Sequence, residues 1–162
     1  MLVRKATADE MLKLWGYQDI SDASPTAKFF YSNISSGNAV FWTLDHAGEL
    51  IGELYVFFNI AGEKAFADGS ATAYLCAFRV QKQYRGQGLG SRLMDAALAD
   101  LKGSGFQHAT IGVGLREERN QRIYHHMGFS RKIKQCYFDP CAMDENMNPK
   151  CDEGFWLLTK QL

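Results

Sequence analysis

The chain has 162 residues, 46% hydrophobic and 22% charged, which suits one soluble globular domain with a continuous core and leaves little room for two. Eighteen basic residues balance eighteen acidic ones, so no general attraction to nucleic acid or to an anionic membrane is expected and a small or local partner is favoured. No apolar run approaches the length of a membrane span, and Asp9 and Glu10 interrupt Met1 to Gly16 where a secretion signal would be apolar, so a cytoplasmic location is expected.

Leu2 to Lys5 reads as a short strand. Thr7-x-x-Glu10 is a capping-box spacing that opens a helix with Met11, Leu12 and Trp15 on one side. Ser24-Pro25 starts a second helix, because proline is tolerated in a first turn, and Gly37 ends it. Ala39 to Asp45 and Leu50 to Ile60 are rich in aromatic and aliphatic residues, with His46-Ala47-Gly48-Glu49 short enough to turn between them as a hairpin. Ala61 to Ser70 is small and polar, hence a loop. Tyr74 to Val80 is an apolar strand that leads through Gln81 to Tyr84 into a glycine-rich loop. The helix after that loop, Leu89 to Lys102, carries Leu89, Leu93, Ala96, Ala97 and Leu101 at three- and four-residue steps, and Gly103 and Gly105 stop it. His108 to Gly114 is the next strand, Asn120 to Met127 a short helix, and Arg131 to Phe138 and Phe155 to Lys160 the last two strands. This order predicts a single domain over residues 1–162 with a mixed sheet of six to seven strands flanked by helices.

Cysteines 76, 136, 141 and 151 lack the short spacings that wrap a zinc ion, and His125 and His126 point different ways on a helix, so no metal is expected. Cys76, inside an apolar strand, reads as a small buried hydrophobe.

Arg85-Gly86-Gln87-Gly88-Leu89-Gly90 restricts function most. Glycine lets the main chain turn tightly and approach a ligand, and a helix start offers unpaired N–H groups and the positive end of the dipole, a seat for phosphate. It is not a Walker loop, since Gly90-Ser91-Arg92 lacks the lysine, and the third small residue of a dinucleotide fingerprint is replaced by Leu93. The spacing Arg85-x-x-Gly88-x-Gly90 resembles instead the signature of the GNAT superfamily of acetyl-CoA-dependent N-acetyltransferases. A second stretch, Asn120-Gln121-Arg122-Ile123-Tyr124-His125-His126-Met127-Gly128-Phe129, is similar to that family's later Asn-x-x-x-Tyr-x-x-x-Gly-Phe pattern. The detailed resemblance runs from Tyr74 to Phe129.

The resemblance implies an acyl-CoA N-acyltransferase fold, acetyl-CoA as cosubstrate, and direct transfer of acetyl to a primary amine of a small molecule or peptide, without nucleic acid or membrane. Relatives are often homodimers. It places the CoA pyrophosphate on the main chain of Gly86, Gln87, Gly88, Leu89, Gly90 and Ser91, with Arg85 nearby and Lys82 and Arg92 as weaker candidates. It sets the pantetheine arm along Phe78, Arg79 and Val80, where the fourth and fifth strands splay, with Asn120 beside it. Asn120 reads equally well as an N-cap. Breaking a thioester with an amine requires a neutral amine, a donor near the carbonyl oxygen and a proton for the departing sulfur. Tyr124 fits the last task, as the matching family tyrosine does; read alone, it is also an ordinary core tyrosine packed beside Phe129.

The base does not carry over. Family members place a glutamate early in the fourth strand, whereas this chain has Thr72, Ala73 and Tyr74. Glu53 in the neighbouring strand is the nearest substitute, ahead of Asp68, and a water chain or Tyr74 remains open. Substrate choice falls to Leu14 to Phe30, Asn59 to Ala73 and Asp139 to Gly154, the last expected as a long acidic loop that either favours a cationic amine or simply stays soluble. A different class also fits: a non-catalytic module that binds or senses acyl-CoA.

Overall fold

The Thr7–Glu10 spacing forms the reciprocal cap it predicts: the Glu10 amide donates to Thr7 Oγ1 at 3.1 Å and the Thr7 amide to Glu10 Oε1 at 3.1 Å. It joins β1 (Leu2–Ala6) to α1 (Ala8–Leu14). Ser24 caps α2 (Pro25–Ser35) through the Ala27 amide, with Pro25 in the first turn as expected. The computed structural model describes residues 1–162 and continues with β2 (Ala39–His46), β3 (Glu49–Phe57), β4 (Thr72–Val80), α3 (Leu89–Gly103), β5 (His108–Gly114), α4 (Glu118–His126), β6 (Arg131–Met143) and β7 (Pro149–Gln161).

The seven strands form one sheet in the order β1-β2-β3-β4-β5-β7-β6, mixed because β4 and β5 alone are parallel. Each face has its own core. α3 lays Leu93, Met94, Ala97 and Leu101 on one face against Leu54, Leu75, Ala109 and Ile111. Burying each such leucine or methionine contributes roughly 1.5–3 kcal/mol as an upper bound. α1 and α2 cover the other face with an aromatic group in which Phe41 stacks on Tyr55 at 4.7 Å and Phe30 meets Tyr55 edge-on at 5.0 Å. No helix is long and apolar enough to cross a membrane.

Two irregularities in β4 position the site. Its pairing with β5 runs from Thr72 and His108 only to Leu75 and Ile111, after which the strands part. Against β3, three residues (Glu53 to Tyr55) face four (Cys76 to Arg79), a bulge in which Ala77 takes a φ of 50°. A non-glycine residue in that region costs energy and persists only when its surroundings fix it.

The last two strands correct the expectation. Asp139 to Gly154 is not a long loop: β6 and β7 continue through it as a hairpin whose turn, Asp144 to Asn148, is closed by the Asn146 and Asn148 amides donating to Asp144 Oδ1. Pro140 is absorbed where the pairing register slips between Asp139 and Met143, while Asp144 and Glu145 fall after β6 at the turn and Lys150, Asp152 and Glu153 lie on β7. The hairpin rests on α2, the Met143 amide donating to Thr26 Oγ1 at 3.0 Å.

Candidate active site

Gly86 and Gly88 adopt φ of 80° and 78°, a left-handed backbone that a residue with Cβ resists, and Gly88 serves as the N-cap of α3 with no side chain to satisfy the first turn. Gly90 is needed for closeness: a Cβ there would sit 3.3 Å from the Phe78 ring, so glycine lets the helix start lie on β4. As a result the amides of Gly86, Gln87, Gly88, Leu89, Gly90 and Ser91 donate to no protein acceptor. Gly86, Gln87, Gly88 and Ser91 are exposed, and Leu89 and Gly90 line a hollow although the Leu89 side chain is buried, so the cost of leaving these amides unpaired is small and they remain free for an anion. This cradle fits a diphosphate by geometry and by the sign of the helix dipole. Arg85 adds positive charge while its Nε donates to the Val80 carbonyl at 2.8 Å, which pins the side chain to the end of β4.

A cavity of about 500 Å³ begins at this cradle and is walled by Phe78, Arg79 and Val80 on one side and Asn120 and Tyr124 on the other. The residues expected at the cofactor therefore come together, except that Gln87, Lys82 and Arg92 do not line it. Asn120 is not the N-cap of α4: Glu117 holds that place, its Oε2 accepting the Gly114 amide at 3.0 Å, and Asn120 lies exposed in the third helical position, facing the cavity.

A second cleft of about 720 Å³ opens where β4 and β5 part. Tyr74, Cys76 and Phe78 line it from β4, Ile111 to Gly114 from β5, Asp139 from β6 and Asp152 to Phe155 from β7. Phe78 and Tyr124 line both hollows, so the two meet there. Tyr124 is half-buried between Phe78 and Phe129, its ring 6.4 Å from each. Burial, reinforced by the charges of Glu117 and Cys76, pushes its phenol up to about 12. It therefore stays protonated as a donor at neutral pH.

The structure places Glu53 elsewhere. It lies on the same face of the sheet but lines a third hollow with Trp15, Arg79 and Arg85, and its Oε1 accepts from Trp15 Nε1 at 3.0 Å and Arg79 Nη2 at 3.2 Å. Asp68 accepts the Ser70, Ala71 and Thr72 amides on Oδ1, which hold its carboxyl down at about 2 and make it a poor base. Asp139, which sequence reading put in a solvated loop, is instead half-buried in the cleft, and burial raises its carboxyl above the ordinary aspartate value. Cys76 also lines this cleft, half-buried rather than enclosed in the core.

A family model described as Acetyltransferase (GNAT) family matches residues 6–129. Among solved structures, an IAA acetyltransferase from Bacillus cereus superposes with a TM-score of 0.68 at 17% identity, over 99% of this chain and 99% of that one. A GNAT family acetyltransferase from Elizabethkingia anophelis with acetyl-CoA bound gives 0.64 at 17% identity, over 99% and 97%. The PaiA N-acetyltransferase from Thermoplasma acidophilum in complex with coenzyme A gives 0.63 at 14% identity, over 99% and 98%. No curated sequence matches the chain. At these identities the solved structures establish a common fold.

Proposed function

Because the chain belongs to the GNAT acetyltransferase family, we propose that it transfers an acetyl group from acetyl-CoA directly to a primary amine. The observation that carries this reading is the meeting of two hollows at Phe78 and Tyr124, one starting at an amide cradle and the other opening where β4 and β5 part. The Elizabethkingia and Thermoplasma relatives hold acetyl-CoA and coenzyme A, and the free amides from Gly86 to Ser91 suit the diphosphate of the same ligand.

Bound acetyl-CoA supplies the activated thioester. The residues of this chain bind, orient and move protons. The cradle and Arg85 hold the diphosphate, and the edge of β4 beyond Leu75, free of a neighbouring strand, offers main-chain groups to the pantetheine amides as an added strand would. Tyr124 then faces the sulfur and protonates it as the C–S bond breaks. A phenol near 12 is a weaker acid than a thiol of about 8.5, so donation is completed only as the nitrogen, strongly acidic once it bonds the carbonyl carbon, returns a proton to the phenolate. An acyl-enzyme route through Cys76 would need a base to activate that thiol, and no side chain of the protein accepts a hydrogen bond from it.

Calorimetry with acetyl-CoA, followed by free-thiol release with diamines, amino sugars and peptide amino termini, tests the reading. Binding with amine-dependent release is expected. Binding without release on any acceptor would favour the sensing module, and absence of binding would sink both.

A further inference from the structure

We infer that the Asp139 carboxylate takes the proton from the acceptor amine, so that the species entering the cleft is a cationic primary ammonium. The inference rests on the acetyl-transfer reading and supplies the base that β4 lacks.

Three observations on placement carry it. Asp139 lines the cleft that also holds Tyr124, whereas Glu53 lines a different hollow and Asp68 is locked by three amides. Its Oδ1 accepts the Cys141 amide at 2.9 Å across the β6 bulge, so the carboxyl is oriented rather than loose. No lysine or arginine of the chain forms an ion pair with it, although Arg116 lines the same cleft and Lys150 is its cross-strand partner. A half-buried carboxylate without a cation is costly, and an incoming ammonium would supply the missing charge.

The surroundings also suit a base. Tyr74 and Cys76 face it from β4, Cys136 and Cys141 lie on its own strand, Asp152, Glu153 and Lys150 come from β7, and Arg116 and Glu117 from the segment after β5. Burial keeps the Tyr74 phenol and Cys141 thiol neutral, and it raises Asp139, with Asp152 adding a like charge. The carboxylate is thus more basic than a solvated aspartate.

The protons balance. The ammonium gives one proton to Asp139, and the freed lone pair forms the C–N bond at the thioester carbonyl. The C–S bond breaks and the sulfur takes the Tyr124 proton, the second nitrogen proton restores the phenol, and Asp139 releases its proton to solvent. One proton leaves per amide formed.

Asp139→Asn and Asp139→Glu distinguish this from a structural role, using spermidine, tyramine and a short peptide with a free amino terminus as probes. Thiol release is followed from about pH 6 to 10, with acetyl-CoA Kd measured for each variant to show that the fold persists. The wild type should turn over at least one probe. Asp139→Asn should lose about 100-fold in kcat/KM near pH 7 and keep rising toward pH 10 as free amine forms in solution, while Asp139→Glu restores part of the rate and neither changes Kd. A wild type that binds acetyl-CoA yet acetylates none of the probes overturns the transfer reading and this inference with it. A wild type that turns over, with Asp139→Asn matching its rate and pH profile, or losing activity equally at every pH without rescue by glutamate, overturns the inference alone.

Discussion

The two hollows that meet at Phe78 and Tyr124 are built from different material. The one that begins at the cradle is largely main chain: left-handed glycines, unpaired amides and the opening of α3. The cleft on the other side is largely side chains, brought in by β4, β5, β6 and β7 from positions far apart in sequence. A site made of amides constrains backbone torsions, and torsions select glycine at fixed spacing. A site made of side chains constrains only which residues face inward, and that is settled when strands pair. The first kind is written locally and the second is not.

Tyr124 stands at the joint, so replacing it gives the largest effect and shows whether the hollows work as one. Tyr124→Phe keeps the ring contacts with Phe78 and Phe129 and deletes only the proton donor. We expect kcat to fall about 100- to 1,000-fold with acetyl-CoA Kd unchanged. The sign of the shift adds a second expectation: a phenol raised to about 12 is protonated at all lower pH, so the wild-type rate should show no alkaline loss attributable to Tyr124 below about pH 11. An unchanged kcat would separate the hollows functionally and remove the acid from the mechanism.

Gly88→Val probes the main-chain half alone. At a φ of 78° a β-branched residue carries strain of about 1–2 kcal/mol or more, although no neighbouring atom would meet its Cβ. The loop would relax away from the cradle geometry. Acetyl-CoA Kd should rise about 10-fold, measured by calorimetry, while the acceptor KM stays near its wild-type value. A change in acceptor KM without a change in Kd would contradict the division of labour.

That division explains what could be read in the sequence. The α1 capping box, the α3 stripe and the cradle are local patterns, and each forms where its spacing puts it. Residues Asn120 and Asp139 depended on something non-local. Asn120 loses the N-cap because Glu117 folds back onto the Gly114 amide, a contact fixed by how β5 ends rather than by the helix sequence. Asp139 sits between Phe138 and Pro140, a context that reads as turn; only the slip of β6 against β7 and the seat on α2 make it part of a strand lining the cleft. The family match ends at Phe129, just before β6, so the hairpin that walls the cleft lies outside the matched segment.

Glu53→Gln should have the smallest effect and sharpens the comparison most finely, because the sheet offers a second carboxylate on β3, with β4, β5 and β7 between it and Asp139 on β6. Glu53 is almost fully buried, yet its partner Arg79 is 62% exposed, so the ion pair is largely screened and worth less than about 1 kcal/mol. The glutamine oxygen can still accept from Trp15 Nε1, which keeps α1 tied to β3. We expect kcat/KM within about threefold of wild type and a slightly lower Tm, since the charge-assisted hydrogen bond becomes a neutral one. A loss of kcat as large as that of Asp139→Asn, recovered at high pH, would move the proton acceptor to β3. The pair of variants therefore reads out which side of the β4 bulge handles the amine: the side with a carboxylate already engaged by Trp15 and Arg79, or the side whose carboxylate has no cation of its own.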